Sequence, residues 1–541
     1  MERTINEITR NVTRAYLESL DPANPPDPGQ VEKELVMHVR NEVNLENAVR
    51  GKNDQLKKPT TLTFSQIADI MAYLYHICRI RGDAKKGKDL LVIYQSEGEN
   101  EGIYVGDKDI FRAIARRYNY LLTDKDFREI MTALYDMADR KPLCQDRDII
   151  ALGNGLLDYR TKQLMPFDPQ YIFLSKARVN WNPQAQNIPI IEPDGRPWDF
   201  ESWLMEVCND DEGLRDLILE MIGATLRPHV GWGKAFFLYA KSGANGKGTI
   251  CQLCRNILGA GSHMSLPISQ MGEKHGLAGI DQVQAIITDE NDVGAYLSKA
   301  GNFKDLVTGD AVTVEPKFQN KFSLRWFGLI IECFNDYPSV KDRTNSFLRR
   351  LIIIPFNKTF VGCERPEIKQ DYLARQEVLE YVLKRVLEMD YYTFHIPEIC
   401  EQAMADYKEK NDPVVSFLNE MLPQFTWDLL PFPFLYDLYR AHYAKTNGPQ
   451  AQICSRQTFI DNLLEAIKDN DEWECKDRRA RVASANRMSW PEPLIAEYNL
   501  TDWMSKTYHG SDPDKVSVTN PLKPLYSGLV RTTPTAGKMV S

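Results

Sequence analysis

The chain is poor in the features that several large classes of protein depend on. No apolar run approaches the roughly 20 residues needed to cross a bilayer, so no membrane partner is expected. Ten cysteines are scattered over 541 residues. The one close pair, Cys251 and Cys254, has no second pair to complete a zinc site, so core thiols are expected rather than a disulfide framework. The eight histidines are equally dispersed. There is no excess of positive charge: 75 acidic residues outnumber 66 basic ones, for a net charge of −9. That balance argues against a surface wholly devoted to nucleic acid, but leaves room for a local basic lining. The opening Met1-Glu-Arg-Thr-Ile-Asn starts a charged amphipathic helix rather than a signal peptide, and a cytoplasmic location is the expectation.

What is present is a chain long enough for roughly three to four domains, organised around one stretch. Lys234-Ala-Phe-Phe-Leu-Tyr-Ala-Lys-Ser-Gly-Ala-Asn-Gly-Lys-Gly-Thr249 reads as a buried strand, a glycine-bearing turn and an amphipathic helix. The helix carries Ile250, Leu253, Cys254, Ile257 and Leu258 at helical spacing and stops at Gly259. Strand, turn and helix start describe a phosphate-binding loop. Gly243, Ala244, Asn245, Gly246, Gly248 and Thr249 offer backbone N–H groups, and Lys247 reaches the β and γ phosphates. Lys241 stands where the first glycine is expected. Gly248 stands where the Mg²⁺-binding Ser/Thr usually follows the lysine, with Thr249 one place later.

Val283-Gln-Ala-Ile-Ile-Thr-Asp-Glu290 is a mainly apolar strand ending in two carboxylates. Such a strand end assigns Asp289 to Mg²⁺ and Glu290 to the attacking water. Gly309 to Leu324 reads as a β-hairpin that exposes Lys317, Phe318 and Lys321 near its tip, cations and a ring suited to DNA. Phe327-Gly-Leu-Ile-Ile-Glu-Cys-Phe334 is a third buried strand, and the Asn335 amide after it suits water positioning or γ-phosphate sensing. Arg349-Arg350 precede the apolar strand Leu351–Phe356 and are candidates for an arginine finger.

Upstream, residues 1–20 carry a helical stripe and 21–29 a proline-rich linker. Residues 31–140 read as mostly helical, with a strand-like piece at 90–94 and no paired-carboxylate and histidine pattern of a primase. A hairpin turns at Asn154-Gly155, and two helices, 198–208 and 212–227, lead into the central strand. Downstream, two helices (432–443 and 455–468) and the basic Lys476-Asp-Arg-Arg-Ala-Arg481 suit a winged helix.

The order of these pieces resembles the superfamily 3 helicases of the AAA+ class, most closely the helicase part of phage, plasmid and poxvirus-type primase-helicases. The residues concerned are 243–249, Asp289-Glu290, Gly309-Asp310, Asn335-Asp-Tyr-Pro338, and Arg349-Arg350 with Pro355-Phe356. The resemblance covers roughly residues 145–390. It implies an α/β fold with an AAA+ phosphate-loop core at 229–395, a helicase-associated domain at 141–228 and, by a looser match, a winged-helix-like domain at 396–495. The residues themselves read as a mainly helical domain of unknown role at 1–140, which the resemblance does not reach, and a loosely structured tail at 496–541. It further implies ATP and Mg²⁺ as cofactors and a homo-oligomeric ring, usually a hexamer, on single-stranded or forked DNA. A primase or initiator protein is a further candidate partner. Lys317 and Phe318 would be the pore hairpin, Asn335 the first sensor, Arg350 or Arg349 the finger acting in trans, and Lys234 a basic residue aimed at a neighbour's ATP. The expected function is a replicative helicase of a phage or mobile element in a bacterial host. The alternatives are an initiator or loader that binds DNA without processive unwinding, and a primase-helicase whose primase lies in the N-terminal region.

Overall fold

A computed structural model describes the chain apart from residues 1, 23, 81–88, 293–295, 298–299, 316, 318–320, 341–344, 449–452, 469 and 534–541. Phe318 therefore lies outside the described residues. The chain divides into two compact units, Met1–Glu401 and Gln402–Ser541. Among the described residues no helix is long and apolar enough to cross a membrane.

The first unit opens with helices Ile5–Glu18, Pro28–Ala48, Phe64–Leu74, Lys108–Tyr118 and Asp124–Met137. Capping boxes at Thr4/Glu7, Thr63/Gln66 and Thr123/Asp126 fix where three of them start. Val31, Leu35, Ile67, Met71, Phe111, Ile130 and Leu134 form their shared core. Against this packs a four-stranded sheet ordered 104–105, 90–94, 77–80, 140–141. The region is thus mixed, where helix with one strand was expected.

The expected hairpin is present as antiparallel strands Ile149–Leu152 and Gly155–Asp158, extended by Gln163–Met165. Helices Phe200–Val207 and Glu212–Thr225 follow. The second of these ends beside Arg227, which is 2% exposed. Its guanidinium lies 3.3 Å from the Tyr159 ring centroid, with Tyr391, Tyr392 and Trp232 around it. Desolvation lowers its pKa, and the ring faces supply the favourable electrostatics that a carboxylate usually would.

On the same helix, buried Glu220 accepts the His395 backbone N–H at 2.9 Å and pairs with the exposed ring of that histidine. The carboxylate raises the His395 pKa above its ordinary value. A raised folded pKa stabilises most below the unfolded value, about 6.5, and the contribution fades as pH rises through the folded pKa. His395→Gln is expected to flatten the midpoint of thermal unfolding across that range, and an unchanged pH dependence would show that the pair carries none of it.

The centre of the unit is a five-stranded parallel sheet, ordered His263–Met264, Ala285–Thr288, Leu329–Phe334, Ala235–Tyr239, Leu351–Pro355. Its four longer strands are buried at every residue, as a parallel sheet covered on both faces requires. Cys251 and Cys254 lie in the core as expected, on helix Lys247–Leu258.

In the second unit, helices Pro413–Met421, Phe432–Asn447 and Arg456–Ala466 surround Trp427, Phe434, Phe459 and Trp473. A three-stranded antiparallel sheet is ordered Leu429–Pro431, Gly528–Arg531, Trp473–Glu474. Its middle strand comes from the stretch expected to be loose. Gly528 faces Pro431 in this pairing, and a Cβ there would lie 2.0 Å from the Leu430 carbonyl oxygen, so only glycine permits the approach. Of the basic segment, Arg478 pairs with Asp461 on the third helix, while Arg479 and Arg481 are exposed.

Candidate functional site

Parallel pairing sets the site. Tyr239 is in register with Phe334, and Thr288 with Glu332. The three central strands therefore end at one edge of the sheet, and each is followed by a candidate residue or loop: the glycine-bearing loop after Tyr239, Asp289-Glu290 after Thr288, and Asn335 after Phe334. The crevice outside the carboxyl ends of such strands is the usual place for a ligand.

The loop turns through left-handed backbone at Ala244 (φ 50°) and Gly246 (φ 91°). A Cβ on Gly246 would also meet Val207 Cγ1 at 3.1 Å, so glycine serves both the turn and the close packing. Asn245 braces the loop by donating to the Ser242 carbonyl. Helix Lys247–Leu258 then begins at Gly246, which has no side chain to cap it. The Lys247 N–H makes a long bond to Asn245 Oδ1 at 3.4 Å, and a helix start of this kind favours an anion.

Lys247 is 6% exposed, and its Nζ donates to Asn335 Oδ1 at 3.0 Å. Loss of solvent lowers its pKa. A buried ammonium whose described partner is a neutral amide is ready to receive a stronger anionic partner. Thr249 is half-buried beside it on the same helix, and Gly243, Ala244 and Lys241 are exposed.

Asp289 is clamped by Arg255, with Nη1 to Oδ2 at 2.9 Å and Nη2 to Oδ1 at 2.8 Å. Nη2 also donates to the Ile287 carbonyl at 2.9 Å, tying the arginine to the strand itself. Glu290 is exposed. The two acids, Arg255, His263, Met264 and Ser265 line an open cavity of about 620 Å³. No cluster of three or more His, Cys, Asp or Glu side chains among the described residues could hold a metal alone. Mg²⁺ commonly uses one or two carboxylates together with substrate phosphates, and Asp289 and Glu290 are the carboxylates that follow the strand at this edge.

The remaining candidates are not all gathered here. Lys234 Nζ donates to the carbonyl of Arg349 at 2.5 Å, and burial lowers its pKa. Arg350 is turned toward its own chain, with Nη1 3.0 Å from Ser346 Oγ, while Arg349 is exposed. The hairpin forms from Ala311–Val314 and Phe322–Arg325. Lys317 is exposed at its tip, and Lys321 lies 3.6 Å from Glu315. The His275 ring meets the Glu315 carbonyl at 2.6 Å and so ties down the first strand of the hairpin at its tip end.

Sequence reasoning missed Arg255, Glu332 and Lys369. Arg255 looks like any charge on an amphipathic helix. Glu332 did carry a signal, a lone carboxylate within Leu329-Ile-Ile-Glu-Cys-Phe334, and it is fully buried. Lys369 is brought in by the fold alone. The segment after Leu351–Pro355 crosses the phosphate loop, where the Phe360 N–H donates to the Ala244 carbonyl at 2.7 Å. Lys369 Nζ then stands 3.4 Å from where a Gly248 Cβ would be. That is ordinary van der Waals distance to the end of a flexible side chain, so Lys369 adds a second cation beside the helix start without excluding a serine or threonine at 248.

Three segments match family models. Residues 86–209 match the "D5 N terminal like" model, 238–350 a family of unknown function (DUF5906), and 409–503 the "Poxvirus D5 protein-like" model. The two D5-like matches lie before and after the five-stranded sheet in the sequence. The model of unknown function spans the loop, Asp289-Glu290, Asn335 and Arg350.

Among solved structures, the chain is similar to the apo C-terminal region (305–718) of NrS-1. The match has 12% identity and a TM-score of 0.44, and covers 87% of this chain and 100% of that one. A second apo form, designated A, matches at 12% identity and a TM-score of 0.41, with 82% and 94% covered. At these scores the overlaps are too loose to define a shared fold.

Proposed function

We propose that the chain is an ATP-dependent DNA helicase of the superfamily 3, AAA+ kind, working as a homo-oligomeric ring in the replication of a phage or other mobile element. One observation carries this reading: a single sheet edge gathers Lys247 bonded to Asn335, with Asp289 and Glu290 one strand further along. The strand order supports it. The phosphate-loop strand lies between the Asn335 strand and the Arg350 strand, and the acid strand lies beyond. The D5-type matches on either side favour a replication enzyme over other nucleotide hydrolases.

In this reading the loop N–H groups and Lys247 hold the triphosphate, and Asn335, released from Lys247, turns to the γ phosphate. Glu290, exposed to solvent, polarises the attacking water. Thr249 and Asp289 would hold Mg²⁺, which neutralises charge on the β and γ oxygens. Asp289 becomes free for that role only when Arg255 lets go. Arg349 or Arg350, and Lys234, would act on a neighbouring subunit's nucleotide. Lys317 and Lys321 would meet DNA, where copies converging in a narrow channel give a local positive field on an acidic protein. In the second unit a helix, a strand and two helices come before strands Trp473–Glu474 and Val482–Ala483 in the order of a winged helix, a further candidate DNA contact, although these two strands pair with Gly528–Arg531 and Leu525–Tyr526 rather than with each other.

The test separates chemistry from grip. Glu290→Gln is expected to bind ATP normally and to lower turnover by on the order of a hundredfold or more. Lys317→Ala should keep basal ATPase and lose stimulation by single-stranded DNA. Basal ATPase at the parental rate in Glu290→Gln would refute its role. Full DNA stimulation in Lys317→Ala would refute the hairpin assignment.

A further inference from the structure

The Asp289-Glu290 dipeptide is bracketed by two residues that reach the same buried carboxyl group. Glu332 is 0% exposed. Its Oε2 accepts from Asn291 Nδ2 at 2.8 Å, and its Oε1 lies 3.3 Å from Thr288 Oγ1. Asn291 also donates to the Cys333 carbonyl at 3.1 Å and accepts the Ile268 N–H at 3.1 Å. Thr288 Oγ1 accepts the Leu266 N–H at 3.2 Å. Glu332 thus ties the residues on either side of the acids to the strand that precedes Asn335, and Thr288 and Asn291 in turn hold the segment after Met264.

A carboxyl group at the centre of a parallel sheet is an expensive choice for packing alone. An aliphatic residue of similar size would fill the position without the desolvation cost. Burial raises the Glu332 pKa well above its ordinary value, which favours an uncharged group able to donate as well as accept.

We infer that Glu332 is a positioning residue for the acid pair, holding Asp289 and Glu290 in register with Asn335 through Thr288 and Asn291. This rests on the ATPase reading above. Nucleotide affinity comes mainly from the loop and Lys247, whose described hydrogen bonds do not involve Glu332. Loosening the bracket should therefore act on turnover, since a displacement of about 1 Å costs up to roughly a hundredfold.

The full-length parent is compared with Glu332→Gln, Glu332→Ala and Asn291→Ala, measuring kcat and KM for ATP and the Kd of a fluorescent ATP analogue. In Glu332→Gln the new amide would accept from Asn291 and donate to Thr288, so kcat should stay within about threefold of the parent. Asn291 is half-buried, so its alanine variant should fold even if Glu332→Ala does not. Asn291→Ala should lose about tenfold or more in kcat with KM and Kd nearly unchanged.

Parental kcat in folded Asn291→Ala, a loss confined to KM, or Glu332→Gln as impaired as Glu332→Ala would each overturn the inference. A parent that hydrolyses no nucleotide would instead refute the ATPase reading before any variant is compared, and the inference with it.

Discussion

Lys247→Ala is expected to lower ATP hydrolysis by on the order of a thousandfold, because it removes a cation already buried at the start of the phosphate-loop helix. The same change should not weaken the nucleotide-free protein. Lys247 spends desolvation energy on a neutral partner, Asn335, and removing a buried charge that no opposite charge compensates relieves that cost. The two effects part company in a thermal melt. Without nucleotide the variant should unfold at or above the parental temperature. With saturating ATP analogue the parent should gain, about 2.7 kcal/mol at a hundredfold excess over Kd, while the variant gains little. A variant that melts lower without nucleotide yet hydrolyses ATP normally would assign Lys247 to packing.

Trp427→Ala is expected to destabilise the second unit by about 3–5 kcal/mol, a large share of the roughly 5–15 kcal/mol that holds a typical domain. Trp427 is fully buried, and its indole N–H donates to the Trp490 carbonyl at 2.8 Å. The Trp490 indole N–H returns a bond to the Thr426 carbonyl, also at 2.8 Å. Glu492 meanwhile accepts the backbone N–H groups of Thr426 and Trp427 at 2.9 and 3.2 Å. Truncation therefore leaves a cavity against Phe434 and takes the indole donor from the half-buried Trp490 carbonyl. Urea unfolding followed by tryptophan fluorescence reads the loss directly. An unchanged midpoint would show that the reciprocal indole bonds contribute nothing.

The central sheet was legible because burial on both faces leaves an unmistakable mark. Ala235–Tyr239 has the extent its apolar run indicated, and Leu329–Phe334 and Leu351–Pro355 differ from theirs only at the ends. The acid strand is shorter than its run. At Val283 the carbonyl is taken by the Trp326 indole N–H at 2.8 Å, ahead of the parallel ladder that begins at Ala285.

The N-terminal sheet was not legible. Two of its strands, Tyr104–Val105 and Arg140–Lys141, have two residues each, too few for any period to show. The strand Gly528–Arg531 was hidden by surrounding prolines and by a glycine whose need appears only opposite Pro431.

The site divides in the same way. Lys247, Asp289, Glu290 and Asn335 sit directly after strands or at a helix start, where local sequence is informative. Arg255, Glu332 and Lys369 act through partners between 34 and 121 positions away in the chain, which no local pattern encodes.

Strand separation of a forked DNA duplex, driven by ATP and followed over many turnovers with Lys247→Ala alongside, bears most directly on the proposed motor. The expected result is that the parent separates the fork only with hydrolysable ATP, that single-stranded DNA raises its ATPase rate, and that Lys247→Ala does neither. Separation by Lys247→Ala as fast as by the parent, or a parent that binds DNA and ATP without opening the fork, would contradict it.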